Sequence, residues 1–352
     1  DTVTVTSADG TAQTIEITIT GTDDFLSGTA IDGYIEGATI FADEDGDGEL
    51  DAGEAFSVTG EDGEFSLTNA DGSLVLLGGN GAIDAATGLA FNGQLEAPAG
   101  STVVTPLTTL INKLVEGGED QVVAQAKVKS AFGITAGEDL TTFDPIDAAL
   151  GGGASAASGI EVATAGVVLQ NLVIQVSAAV SGSNGGSSVP STPSVPVLVD
   201  AVFESLADQI SVLGASTELP KTQAQIESLL EASLLRAGIP FEQFDAQLKI
   251  VSGDVSNVIL SGLQSLDAVS SDPLEALTQL AQTASVLQHD ASSALEAAVT
   301  DPGANPMSGV LTSFTGEALE AAIAVAPRGN VLGSHPVSIV GTDGDDVLIG
   351  GG

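Results

Sequence analysis

Thr2 to Thr6 (TVTVT) and Thr14 to Thr20 (TIEITIT) alternate β-branched residues with small or polar ones, the period-two pattern of strands. Ala8-Asp9-Gly10 between them supplies a turn. Two strands bury no core of their own, so residues 1–24 are expected to close a sandwich whose other strands lie outside this sequence. From Phe25 to Val104 the apolar runs stay short and are punctuated by Gly, Asp and Asn: IDGYIEG, ATIFA, EAFSVT, EFSL, SLVLLGG, GLAFNGQLEA and STVVT. Regular turn signals between short strands predict a small antiparallel β-sandwich over 25–104.

At Thr105 the period changes to that of a helix. Thr105 and Pro106 stand where an N-cap and a first helical residue belong, and TPLTTLINKLVEGG then repeats apolar residues at helical spacing. Helices are expected over Asp120–Phe132, Ile160–Val180, Val197–Leu213, Lys221–Ala237, Phe241–Leu266, Pro273–Val299 and Thr315–Ala326, all rich in Ala, Leu, Gln and Glu. Residues 105–326 read as one all-α domain, with two bundles as the alternative. Within it, Ser181 to Pro196 is a Gly/Ser-rich then Pro-rich linker expected to be disordered. The tail, 327–352, leaves helix for an extended, Gly/Asp-rich segment. The fold class expected is therefore multidomain β plus α: an antiparallel sandwich, then an all-α domain, with β fragments at both ends.

Ile160 to Val180 is long enough to span a bilayer, but it carries Glu161, Gln170, Asn171 and Gln175 and has no flanking Lys or Arg. It is expected to be a buried helix, and no membrane insertion is expected. Asp1 leads straight into strand, with neither a basic nor an apolar leader, which reads as a fragment of a longer protein.

Charge changes the picture most. Seven Lys+Arg face 48 Asp+Glu for a net charge of -41, and no basic residue or histidine precedes Lys113. Such a chain repels phosphate backbones and anionic lipid, which argues against nucleic acid as a partner and favours divalent cations, whose preferred ligands are carboxylate oxygens. With 43% hydrophobic residues the chain has enough apolar surface for packed cores, so the acidity reads as a solvated surface with embedded ion sites, not as disorder. The absence of cysteine excludes disulfides, thiolate metal sites and cysteine catalysis. Neither His289 nor His335 belongs to an HExxH motif, and no G-x-S-x-G elbow or phosphate loop occurs. No catalytic constellation is expected, and the few lysines are read as surface residues.

FADEDGDGELDAGEAF holds the strongest chemical signal. Asp43, Asp45 and Asp47 occupy positions 1, 3 and 5 of an EF-hand loop, Gly48 position 6, the Glu49 carbonyl position 7, Asp51 position 9 and Glu54 position 12. That spacing wraps alternate side chains round one ion, Gly48 permits the reversal, and Leu50 is expected to anchor the loop to a core. The ion expected is Ca²⁺. A true EF-hand needs flanking helices, whereas both flanks here read as strands.

Three resemblances follow. Ile31 to Leu67 resembles the Cna-B and SdrD B-like modules of bacterial surface proteins, through Gly37–Phe41, the Asp43–Asp47 loop, Asp51-Ala52-Gly53-Glu54, Thr59 and Gly63–Leu67. It departs at Gly60, where an Asp usually follows the Thr and where Glu61 and Asp62 are the available substitutes. This resemblance implies a transthyretin-like sandwich with a structural ion. DGTAQTIEITITGTDD resembles the closing hairpin of cadherin-like VCBS repeats, which makes Asp23 and Asp24 candidate junction ligands. Gly341 to Ile349 resembles the nonapeptide of RTX proteins, with Thr342 in place of the second Gly and Gly350-Gly351 restarting the unit. That pattern implies Asp346 as a calcium ligand and Leu348 as a core residue of a β-roll. Together they imply a non-enzymatic segment of a large RTX adhesin, exported by type I secretion to the bacterial surface or beyond, with host, matrix or cell-surface ligands as partners. The rival is an RTX-secreted enzyme or toxin whose effector or ligand-binding part is the helical domain.

Overall fold

The computed structural model describes residues 2–6, 12–16, 25–184, 193–213, 220–239, 248–301 and 303–333. Asp23, Asp24, Asp346 and Leu348 lie outside them, as do the nonapeptide and residues 185–192 of the linker; the linker's ends, 181–184 and 195–196, are helical and not disordered as expected.

Strands β1 (Thr2–Thr6) and β2 (Ala12–Glu16) form an antiparallel hairpin in which Val3 faces Ile15 and Thr4 faces Thr14. The β unit follows as three small sheets. One is fully antiparallel, in the order β11 (Gln94–Ala97), β8 (Ser73–Leu77), β5 (Thr39–Asp43), β6 (Phe56–Val58). The second runs β10 (Leu89–Ala90), β9 (Ile83–Asp84), β4 (Ile35–Glu36). The third runs β12 (Val103–Val104), β3 (Phe25–Ala30), β7 (Glu64–Thr68). Here the structure departs from the purely antiparallel expectation, because β12 pairs with β3 in parallel. A parallel neighbour needs a crossover; the whole β unit lies between these two strands. β7 shows the alternation expected of a half-buried strand, with Phe65 and Leu67 in and Glu64, Ser66 and Thr68 out.

β12 hands over directly to helix α1 (Pro106–Glu116). Thr105 Oγ1 accepts from the Thr108 amide at 3.0 Å and Thr108 Oγ1 accepts from the Thr105 amide at 2.7 Å, a reciprocal cap with Pro106 in the first turn. Helix α2 (Gln121–Phe132) starts at the Asp120 cap and ends on left-handed Gly133. Two short helices were not legible as such: α3 (Pro145–Gly151), capped by Asp144, and α10 (Met307–Phe314), which has no side-chain cap. The remaining helices are α4 (Ala156–Asn184), α5 (Val195–Leu213), α6 (Gln223–Arg236), α7 (Leu248–Gln264), α8 (Pro273–Ser285), α9 (Ser292–Thr300) and α11 (Gly316–Val325), with a π turn at Val286–Ala291 joining α8 to α9.

α4 is the axis of the helical part, packed against α1, α3, α5, α6, α7, α8 and α9. Its apolar residues therefore surround it instead of forming one stripe. It is long and apolar enough to cross a membrane, and 67% of its most apolar window is buried by the rest of the chain. One buried cluster runs without a break from Ile35, Ile40, Leu74 and Leu95 of the sheets through Leu107 and Leu110 of α1 to Leu169, Val202, Ile226 and Val258 of the helices. After α11 the chain returns to the β unit, where the Gly329 and Asn330 amides donate to the Ala86 and Ala85 carbonyls at 2.7 and 2.6 Å.

Candidate metal centre

The loop Asp43–Glu54 connects two hydrogen-bonded neighbours, β5 and β6. Its stem is closed by the Phe41–Phe56 register and by the Ala42 amide donating to the Ala55 carbonyl at 2.9 Å. Asp43 ends a buried strand and is itself only 5% exposed, so the first candidate ligand is rooted in the core. Beyond it the chain wraps round carboxylates. Asp43 Oδ1 accepts from the Gly46 amide at 2.8 Å and its Oδ2 from the Gly48 amide at 3.0 Å. Asp45 Oδ1 accepts from the Asp47 amide at 3.3 Å, and Asp47 Oδ1 from the Glu49 amide at 2.8 Å. Glu54 closes the ring, its two oxygens accepting from the Glu44 and Asp51 amides at 2.9 and 2.8 Å. Gly48 has φ +74°, and a Cβ there would meet only Gln94 Nε2 at an ordinary contact distance of 3.7 Å, so backbone conformation and not crowding demands a glycine there.

One carboxylate oxygen each from Asp43, Asp45 and Asp47 lies within 4.8 Å of the other two. Like charges this close repel: Asp47, the foremost of its neighbours, raises the Asp45 carboxyl above its ordinary value. A cation among the three oxygens relieves that repulsion, and an all-oxygen donor set suits Ca²⁺ or Mg²⁺. The carboxylates of Asp51 and Glu54 stand outside this group of three: Asp51 is exposed, and both Glu54 oxygens are taken by backbone amides, while Glu49 is expected to offer its carbonyl and not its side chain. Leu50, expected to anchor the loop to a core, is instead 38% exposed. Asp62, a substitute ligand by sequence, instead acts electrostatically on Tyr34.

Two acidic sites escaped the sequence reading. Lys113, expected at the surface, has a side chain only 9% exposed; its Nζ lies 2.8 Å from both Glu96 Oε1 and Asp200 Oδ1 and 3.4 Å from Glu116 Oε2. Burial by itself lowers a lysine pKa, but here Glu96 and Asp200 outweigh it and the group is raised. Asn112 Nδ2 adds bonds to Glu96 Oε2 and Glu116 Oε1, both at 2.8 Å. This cluster ties β11, α1 and α5 together. Its one sequence signal is that Lys113 is the first cation in the chain. The second site, Asp32 and Asp84, had no signal beyond two turn aspartates.

Comparison with known protein families, with curated proteins and with solved structures returns no match to this chain.

Proposed function

We propose that this chain is a calcium-binding structural and adhesive segment of a secreted bacterial RTX surface protein, without enzymatic activity. The observation that carries the reading is the convergence of Asp43, Asp45 and Asp47 in a loop whose twelfth residue, Glu54, clasps its own backbone. In this reading the ion fixes a loop between two strands of a transthyretin-like module, with the Glu49 carbonyl and Asp51 completing its shell. Calcium is scarce inside the cell, so the acidic chain is less stable there, which favours export, and it gains stability when the ion neutralises its carboxylates outside. Asp346 belongs to a second, β-roll site in the same proposal.

A second reading, a ligand-binding helical part, is favoured by a cavity of about 630 Å³ bordered by Phe132, Ala165, Val168, Leu260 and Leu263, a volume in the range of small-molecule sites.

Thermal melting in millimolar Ca²⁺ and in EGTA tests the first reading. A ligand at a hundred times its Kd stabilises by about 2.7 kcal/mol, so a rise of several degrees is expected in the native chain and none in Asp45→Ala/Glu54→Ala. Equal melting with and without calcium in the native chain would falsify the ion site.

A further inference from the structure

Where the β unit meets the helices, the β3–β4 turn and the β9–β10 turn bring two carboxyl groups against one cavity of about 50 Å³. Asp84 is 5% exposed and amply solvated by protein donors: the Ala86 amide at 2.9 Å, the Thr87 hydroxyl at 2.6 Å, and the Thr87 and Gly33 amides. Gly33 approaches so closely that a Cβ there would lie 1.9 Å from Asp84 Oδ1. Asp32 is the opposite case. It is partly exposed as a residue, yet its Oδ1 is sealed from solvent and meets no hydrogen-bond donor.

The remaining walls are Ile31, Pro106, Leu107 and Ile146, apolar residues of α4 and α8, and Val331 of the returning chain. Among the described residues, no lysine, arginine or histidine lines the cavity. The surrounding elements add only acids or engaged groups. From α3, Asp144 accepts from the Tyr34 hydroxyl at 3.3 Å, and Asp147 and Asp62 also act on Tyr34. Thr105 is committed to capping α1, Glu161 of α4 binds the Thr135 and Ala136 amides, Glu275 of α8 binds Ser270, and Arg328 donates to Thr278. A hard cation needs six to eight oxygens, and walls this apolar do not supply them. A proton needs one.

We propose that Asp32 and ionised Asp84 hold a single proton, carried by Asp32, and that this proton locks the sheets, the helices and the returning segment at 329–331 together. Burial raises the Asp84 carboxyl too, but its donors oppose that and suit a carboxylate, so Asp84 keeps the charge; Asp32 is neutral because its buried oxygen has no donor. Burial, first, and the Asp84 charge, second, hold the Asp32 carboxyl well above the ordinary aspartate value. The folded chain therefore binds more protons here than the unfolded chain, and stability falls as pH rises through the folded value. Ordinary surface carboxylates are already ionised above about pH 6 and add no slope there.

The test is the melting temperature from about pH 6 to about pH 9, in EGTA, for the native chain and Asp32→Asn. Asparagine imitates the protonated acid, so the native chain should lose about 2–4 °C over that range while the variant stays level and melts higher at the alkaline end. Parallel curves overturn the proposal. So does a calcium-dependent rise in Asp45→Ala/Glu54→Ala that Asp32→Asn abolishes, since the pair would then hold a cation. Should Asp32→Asn not fold, infrared spectroscopy of the native chain decides: a protonated carboxylic acid band at neutral pH that vanishes on raising the pH supports the shared proton, and its absence overturns it.

Discussion

Lys113 is a single cation serving Glu96, Glu116 and Asp200, and the arrangement is worth most as a cluster that must not be broken. Removing one partner of a buried ion pair leaves uncompensated charge and costs about 3–5 kcal/mol. Lys113→Met is therefore expected to lower the urea midpoint sharply. Pairing it with Glu96→Gln should recover part of the loss, because one stranded charge is removed. If Lys113→Met unfolds at the native midpoint, the cluster contributes nothing. The loop residues obey a more local logic. Asp43, Asp45, Asp47 and Glu54 each bond an amide at most ten residues away, so their arrangement was legible from spacing alone. Lys113 and Asp200 are far apart in sequence, and no spacing rule relates them.

Among the elements, α4 is the one whose surroundings its own residues announce least. Of the four polar residues that argued against a membrane span, Glu161 is partly exposed and the other three lie in the core: Asn171 and Gln175 are fully buried with neither side-chain oxygen nor nitrogen bonded to protein, and Gln170 Oε1 is likewise without a partner. A buried polar group left unpaired costs about 1–3 kcal/mol. Gln175→Leu, similar in length and apolar, is expected to raise the melting temperature; a fall would mean that an ordered water satisfies the amide. The capped start of α1 was legible because a cap is a contact over two or three residues, and Asp120 caps α2 by the same local contact. Asp144-Pro145 carries the same signal for α3, but the helix is too short to show a period.

For the molecule as a whole, the unbroken buried cluster and the Glu96–Lys113–Asp200 contact join sheets to helices. The β unit and the helical part are expected to unfold in one transition. Tyr34, the one tyrosine in a chain without tryptophan, is buried at this junction and hydrogen-bonded to Asp144, so its fluorescence reports the seam while far-UV circular dichroism reports the helices. Calcium bound at Asp43–Glu54 should shift both signals equally, and two separate midpoints would show that the parts melt independently. The amino-acid sequence by itself determined the change from strand to helix at Thr105, the caps, and the carboxylate loop, since each depends on residues within about one turn of one another. Only the tertiary structure decided that β12 pairs in parallel with β3, that Lys113 is buried, and that Asp32 and Asp84 line one cavity. Those pairings arise from chain reversals and shared burial, which carry no local period. Asp43, Asp45 and Asp47 come together as their spacing led one to expect, because carboxylates at alternate positions of one short loop meet through local geometry alone.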